Sequence, residues 1–133
     1  MKQEKEKDST DDLFGPVIYA YTRKQAIDDG VLVDVSETAK EAGFRWPFAM
    51  TAEVWAMIED IPEKHGHEDI QGRLWDVLML ARVAITKAGR NEDLVFFDVI
   101  LHHSSGDRVR LKLHCGGGDD GKPVLTLMLP NQD

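Results

Sequence analysis

The sequence predicts an α+β fold: a three-stranded antiparallel C-terminal meander packed against one long central helix, with short capped helices in the N-terminal half. Three observations predict it. Apolar residues recur at three- and four-residue spacing across residues 70–88 and stop at Gly89. Apolar and polar residues alternate at period two over 94–102, 108–115 and 123–129. Between residues 22 and 60, Thr22, Ser36 and Thr51 each open a short segment that a glycine or proline closes.

Residues 1–12 carry lysine, glutamate and aspartate with no apolar residue after Met1, which predicts a disordered tail ahead of one domain over 13–133. Leu13, Phe14, Val17, Ile18, Tyr19 and Tyr21 form a short extended segment, bent at Gly15-Pro16. Thr22 with Gln25 makes a capping box for a helix over 23–29, ended at Gly30. Residues 31–35 read as a short strand or extended link. Ser36 is the expected cap of a helix over 37–42, stopped by Gly43. Phe44, Trp46, Pro47 and Phe48 form an aromatic segment that Pro47 keeps out of a helix. Thr51 caps a third helix to about residue 60, before Pro62, and a polar loop spans 63–69.

In the long helix, Trp75, Met79, Leu80 and Val83 widen the apolar stripe, predicting a helix covered on two sides. Arg73, Asp76 and Lys87 mark the expected wet edge. The first two strands are joined by a turn around residues 104–107. Their matching parity places Val99 opposite Leu113 and Asp98 opposite His114. In the third strand Leu125, Leu127 and Leu129 point inward.

Composition narrows the function. At 133 residues and 42% hydrophobic, the chain has the length and apolar content for one core. A net charge of −8 argues against direct duplex DNA binding, which needs a positive footprint. The single cysteine, Cys115, excludes an internal disulfide and a cysteine-based zinc cluster. The chain opens MKQEKEKDSTDD, without the apolar stretch of a signal peptide, and no apolar run is long enough for a bilayer. A cytoplasmic protein that does not engage a membrane is the expectation.

Several motifs invite chemistry and decline it. GGGDDGK at 116–122 has the spacing of a phosphate loop, but Pro123 replaces the magnesium-binding hydroxyl and a strand follows where a helix is required. A hairpin connection is expected instead. HGHED at 65–69 shows no third ligand from a second element, so surface histidines are expected and no metal or cofactor is assigned. Cys115 and His114 point to opposite faces of a strand, so no nucleophilic triad can be read.

The residues that stand out are placed oddly for structure alone. Arg23 sits in a helix first turn, where the dipole favours acids. Asp34 interrupts the apolar run VLVDV and needs a hydrogen-bond partner. Arg45 lies between Phe44 and Trp46, where a guanidinium can stack and still donate; a salt bridge to Asp34 is the structural expectation. Tyr21 precedes the first cap. Glu53, Glu59, Asp60, Glu63, Glu68 and Asp69 make a candidate acidic interaction surface, and Arg108, Arg110 and Lys112 a basic strand face.

The stretches LFGPVIYAYTRKQAIDDGVLVDVSETAKEAGFRWPFAMT, RLWDVLMLAR and GDDGKPVLTLMLPNQD resemble a family of uncharacterised bacterial plasmid-related proteins, over nearly everything after Asp12. The resemblance implies carriage on a mobile element and brings no established activity or site. The expected function is therefore a non-enzymatic interaction protein that binds a host or plasmid protein, in one form an acidic DNA mimic that inhibits a defence system. The alternative is a small enzyme or binder acting on a nucleotide or nucleic-acid phosphate through Tyr21, Arg23, Arg45 and the basic strand.

Overall fold

A computed structural model describes residues 21–89 and 92–133. The expected tail over 1–12 and the extended segment at 13–20 lie outside the described residues. In chain order the elements are α1 (Arg23–Asp28), β1 (Leu32–Asp34), α2 (Ser36–Glu41), β2 (Phe48–Thr51), α3 (Ala52–Glu59), a 3-10 turn (Glu63–His65), α4 (Ile70–Ala88), β3 (Leu94–His103), β4 (Gly106–Gly117) and β5 (Pro123–Met128). The fold is α+β.

The C-terminal meander forms, but it is only part of the sheet. Among the described residues the sheet has five strands in the order β1-β2-β5-β4-β3. The N-terminal strand β2 runs parallel to β5, with Phe48 beside Leu125 and Met50 beside Leu127. The other three pairings are antiparallel. Strand β2 escapes a reading from sequence because all four of its residues are buried. A strand covered on both faces shows no alternation, and four residues are too few to separate from an aromatic corner.

The β3–β4 register corrects the expected pairing. Val99 faces Val109, Asp98 faces Arg110, and His114 faces Leu94. The hairpin turns on Ser104-Ser105, tighter than the expected four-residue turn, with a bulge between Ile100 and His103. The slip is an even number of residues, so each side chain keeps its expected face.

The core lies between one sheet face and α2, α3 and α4. Phe48, Met50, Leu111, Leu113, Leu125 and Leu127 of the sheet pack in one cluster with Val54, Ile58, Leu74, Val77, Leu78 and Ala81 of the helices. Phe44 meets Phe48 edge-to-face at 5.0 Å, within the favoured range for aromatic pairs.

Local capping follows the sequence in α1, where Thr22 Oγ1 accepts from Gln25 N and Gln25 Oε1 accepts from Thr22 N. It departs in α2. Ser36 does not cap that helix; it is the first helical residue, and Val35 stands at the cap without a side-chain bond. The Ser36 hydroxyl instead donates to Asp34 Oδ1 at 2.6 Å and accepts from Phe48 N at 3.0 Å, tying the helix start to β2.

Two expectations for α4 fail. Trp75, Leu80 and Val83 are exposed, so the helix is covered on one stripe only. Arg73 is not on a wet edge but 4% exposed, because its guanidinium turns inward to backbone carbonyls. Gly89 ends α4 at φ +93°, a conformation that disfavours any side chain.

Candidate interaction surface

Strand β3 forms one edge of the sheet among the described residues. Cys115 N donates to Asp93 O at 2.8 Å. Backbone groups in an antiparallel pair alternate between the two sides of a strand. Residues 95, 97 and 99 therefore bond to β4, and Leu94, Phe96, Asp98 and Ile100 aim their N–H and C=O groups at the open edge. Their side chains also share the sheet face away from the core. Leu94 is 41% exposed, Phe96 43% and Ile100 65%.

Polar groups frame this apolar strip. Arg110 lies over the Phe96 ring at 5.5 Å from its centroid and donates to Asp98 at 3.2 Å. On the α4 side, Leu80, Val83 and Ala84 face Val95 and Phe97 across a groove of about 410 Å³, flanked by Lys87 and Asp98.

The far end of β3 carries a polar knot around Arg73. The guanidinium donates from Nε to Ile58 O, and from Nη2 to Met57 O and His102 O, all within 2.9 Å. Its Nη1 donates to Glu68 Oε1 at 2.7 Å. Asp60 Oδ2 accepts from both Ser104 N and Ser104 Oγ. These bonds favour the charged carboxylates. Ser104 holds Asp60 below the ordinary carboxylate range, and Arg73 does the same for Glu68. His65 and His102 stack at 3.8 Å, with their rings 4° from parallel, and His102 Nδ1 lies 3.0 Å from Asp107. A cleft of about 370 Å³ runs beside them, lined in part by His67, Glu68, Asp69 and Asp76.

The residues singled out from sequence do not form one site. The Tyr21 hydroxyl donates to Asp29 at 2.7 Å, a bond that raises its pKa. Arg23 reaches over the sheet to Thr126 Oγ1 and Leu125 O, each at 2.7 Å. Burial lowers its pKa, opposed by the nearby charges of Asp34 and Asp119. Asp34 has the partner it needed, in Ser36 N and Oγ rather than Arg45. Arg45 is exposed and lines a shallow pocket with Trp46 and Arg82, in which Arg23 takes no part.

The acids also divide. Glu53 accepts from Gln132 Nε2 beside the last residues of the chain, whereas Asp60, Glu68 and Asp69 gather near the β3–β4 turn. Asp69 caps α4, accepting from Gly72 N at 2.6 Å. Glu59 and Glu63 are exposed. On the basic strand, Arg108 and Arg110 are exposed, but Lys112 is 8% exposed and donates to the carbonyls of Pro130 and Gln132.

Sequence reasoning missed the roles of Arg73, His102 and Asp107, and the β3 edge. Arg73 carried a usable signal: it stands four residues before Val77, within the buried stripe. The His65–His102 meeting had none, because nothing local links a loop to a strand 37 residues away.

Residues 12–133 match the "Family of unknown function (DUF6573)", and the chain belongs to that family. No curated protein matches it. No solved structure matches it. No helix among the described residues is long and apolar enough to cross a membrane.

Proposed function

We propose that this is a non-enzymatic interaction protein of a mobile element, acting in the cytoplasm, and that its partner is a basic host or plasmid protein which lays an extended segment along β3. The observation that carries the reading is the ten-residue strand that forms the sheet edge among the described residues, with Leu94, Phe96 and Ile100 exposed. Edge strands of stable monomers are usually short, or blunted by lysine, proline or cover. β3 has no lysine or proline, and its bulge comes only at the last residues. A strand that docks here gains backbone hydrogen bonds from the open groups of residues 94 to 100, and apolar contacts at alternate positions.

Charge selects the partner. At −8, two copies of this chain repel, while a basic protein is attracted. Asp60, Glu68, Asp69 and Asp76 gather toward the β3–β4 turn, and the exposed Glu59 and Glu63 are near them in sequence. Proteins that handle nucleic acid are basic, and an inhibitor of a defence system that occupies such a protein's cationic surface is the form of the reading the charge supports. With Glu53 set apart at Gln132, that acidic contribution is confined to the turn end.

The test is affinity capture from host lysate with the wild-type chain and with a Phe96→Lys/Ile100→Lys variant, followed by hydrogen exchange on the recovered complex. Capture lost in the variant, with new protection confined to residues 94–100, supports the reading. Undiminished capture by the variant overturns it, and so does an edge filled only by a second copy of the chain.

A further inference from the structure

We infer that His65, Glu68 and His102 form a binding site for a divalent transition-metal ion of the zinc type, a proposal independent of the partner reading. Two imidazole nitrogens and a carboxylate oxygen are a donor set that suits zinc, cobalt or nickel, and not the oxygen-only preference of calcium or magnesium. The three side chains come from separate places in the fold: the 3-10 turn, the loop before α4, and the end of β3. Their ligand atoms already lie within 4.8 Å of one another.

The buried Arg73 organises two of the three. Its Nη1 holds Glu68 Oε1 and its Nη2 holds the carbonyl of His102. Glu68 Oε2 is thereby left to face the histidines, 3.4 Å from His65 Nδ1. His102 is oriented from behind, since Asp107 Oδ1 holds its Nδ1 at 3.0 Å and leaves Nε2 to ligate. A carboxylate behind a ligating histidine fixes the tautomer and raises the basicity of the donor nitrogen. Asp107 is held below the ordinary carboxylate range chiefly by that same bond. The negative charges of Asp69 and Asp76 line the adjoining cleft and oppose the positive charge of Arg73.

Ligand atoms around a tetrahedral zinc with bonds near 2.1 Å stand about 3.4 Å apart. The gap closes by side-chain rotation: the parallel rings tilt so that their in-plane lone pairs converge. Both rings are partly exposed, at 21% and 30%, and have room to tilt. The fourth position is left for water.

The experiment titrates the untagged full chain with cobalt(II), read by visible absorption, and with zinc(II), read by calorimetry and competition. One ion per chain is expected, with zinc displacing cobalt. His65→Asn and His102→Asn abolish uptake, and Asp107→Asn weakens it about 10–100-fold. His67→Asn and His103→Asn retain it. Circular dichroism without metal checks that each variant folds. Glu68→Gln, which keeps an acceptor for Arg73, stands in where a histidine variant does not fold, and it too loses uptake. The proposal is overturned if the wild type shows no saturable uptake, or if the His65→Asn/His102→Asn double variant still takes up one ion.

Discussion

Arg73 shows how one side chain can reorganise a region that looks like a polar loop. Its guanidinium satisfies the carbonyls of Met57 and Ile58 at the end of α3, where helix carbonyls lack intrahelical partners. It also satisfies His102 and pairs with Glu68. Replacing Arg73 by Met leaves these acceptors and the carboxylate without their donor. Chemical denaturation should report a loss of about 3–5 kcal/mol, with far-ultraviolet circular dichroism retained in the surviving folded fraction. The carboxylates of the same region set a pH dependence. Asp60, Glu68 and Asp107 all have folded pKa values below their ordinary ones, through Ser104, Arg73 and His102 respectively. A depressed carboxylate stabilises the fold at pH values above its unfolded pKa, and that contribution is lost as pH falls through the folded value. The melting temperature should therefore hold from pH 7 to about pH 5 and fall below about pH 4. Asp60→Asn should shallow that acid-side fall while lowering stability at pH 7, since Ser104 loses a charged acceptor.

At the scale of elements, α1 and β3 depend on residues far away in sequence. The first turn of α1 holds no acid of its own, and Arg23 there opposes the helix dipole. The missing acid is Asp119, from the β4–β5 connection, which accepts from Arg23 N at 2.8 Å and Lys24 N at 3.1 Å. These amides hold its pKa down. The GGGDDGK stretch thus serves the fold by delivering a carboxylate to a first helical turn that lacks one. Asp119→Ala should fray α1, seen as faster amide exchange over residues 23–28, with exchange in α4 unchanged. β3 is the converse case. Its inner residues Val99 and Leu101 are anchored in the core, while on its outer face Leu94, Phe96 and Ile100 are exposed and Arg110 holds Asp98 and lies over Phe96. Anchorage on one side holds the exposed face in place.

Across the whole molecule, the two halves of the chain meet at the parallel β2–β5 pair, and Gln132 bolts that junction. Its Oε1 accepts from Thr51 Oγ1 and Leu129 N, and its Nε2 donates to Glu53. One side chain thereby joins the start of α3 to the segment after β5, across 81 residues. Gln132→Ala should cost about 1–2 kcal/mol in urea unfolding. Because Lys112 is held by the neighbouring backbone carbonyls, the same variant should raise amide exchange at the β4–β5 pairing. A general acidic field surrounds this frame, and its distribution is a property of the folded chain. Acids that lie near one another in sequence separate into Glu53 at Gln132 and Asp60, Glu68 and Asp69 near the β3–β4 turn.

Sequence alone determined what depends on neighbours along the chain. The Thr22–Gln25 capping box, the span of α4 from Ile70 to Ala88, and the faces of β3, β4 and β5 were all legible, because capping and periodicity act over a few residues. Asp34's need for a partner was legible too; the identity of that partner was not. Only the tertiary structure decided the rest. It inserted β2 beside β5, turned Arg73 inward, lent Asp119 to α1, and stacked His65 on His102. Each of these joins groups distant in sequence, through hydrogen bonds or burial that no local spacing encodes. The sheet edge is the plainest instance: alternation said which residues of β3 face away from the core, but only the order of strands made it an edge.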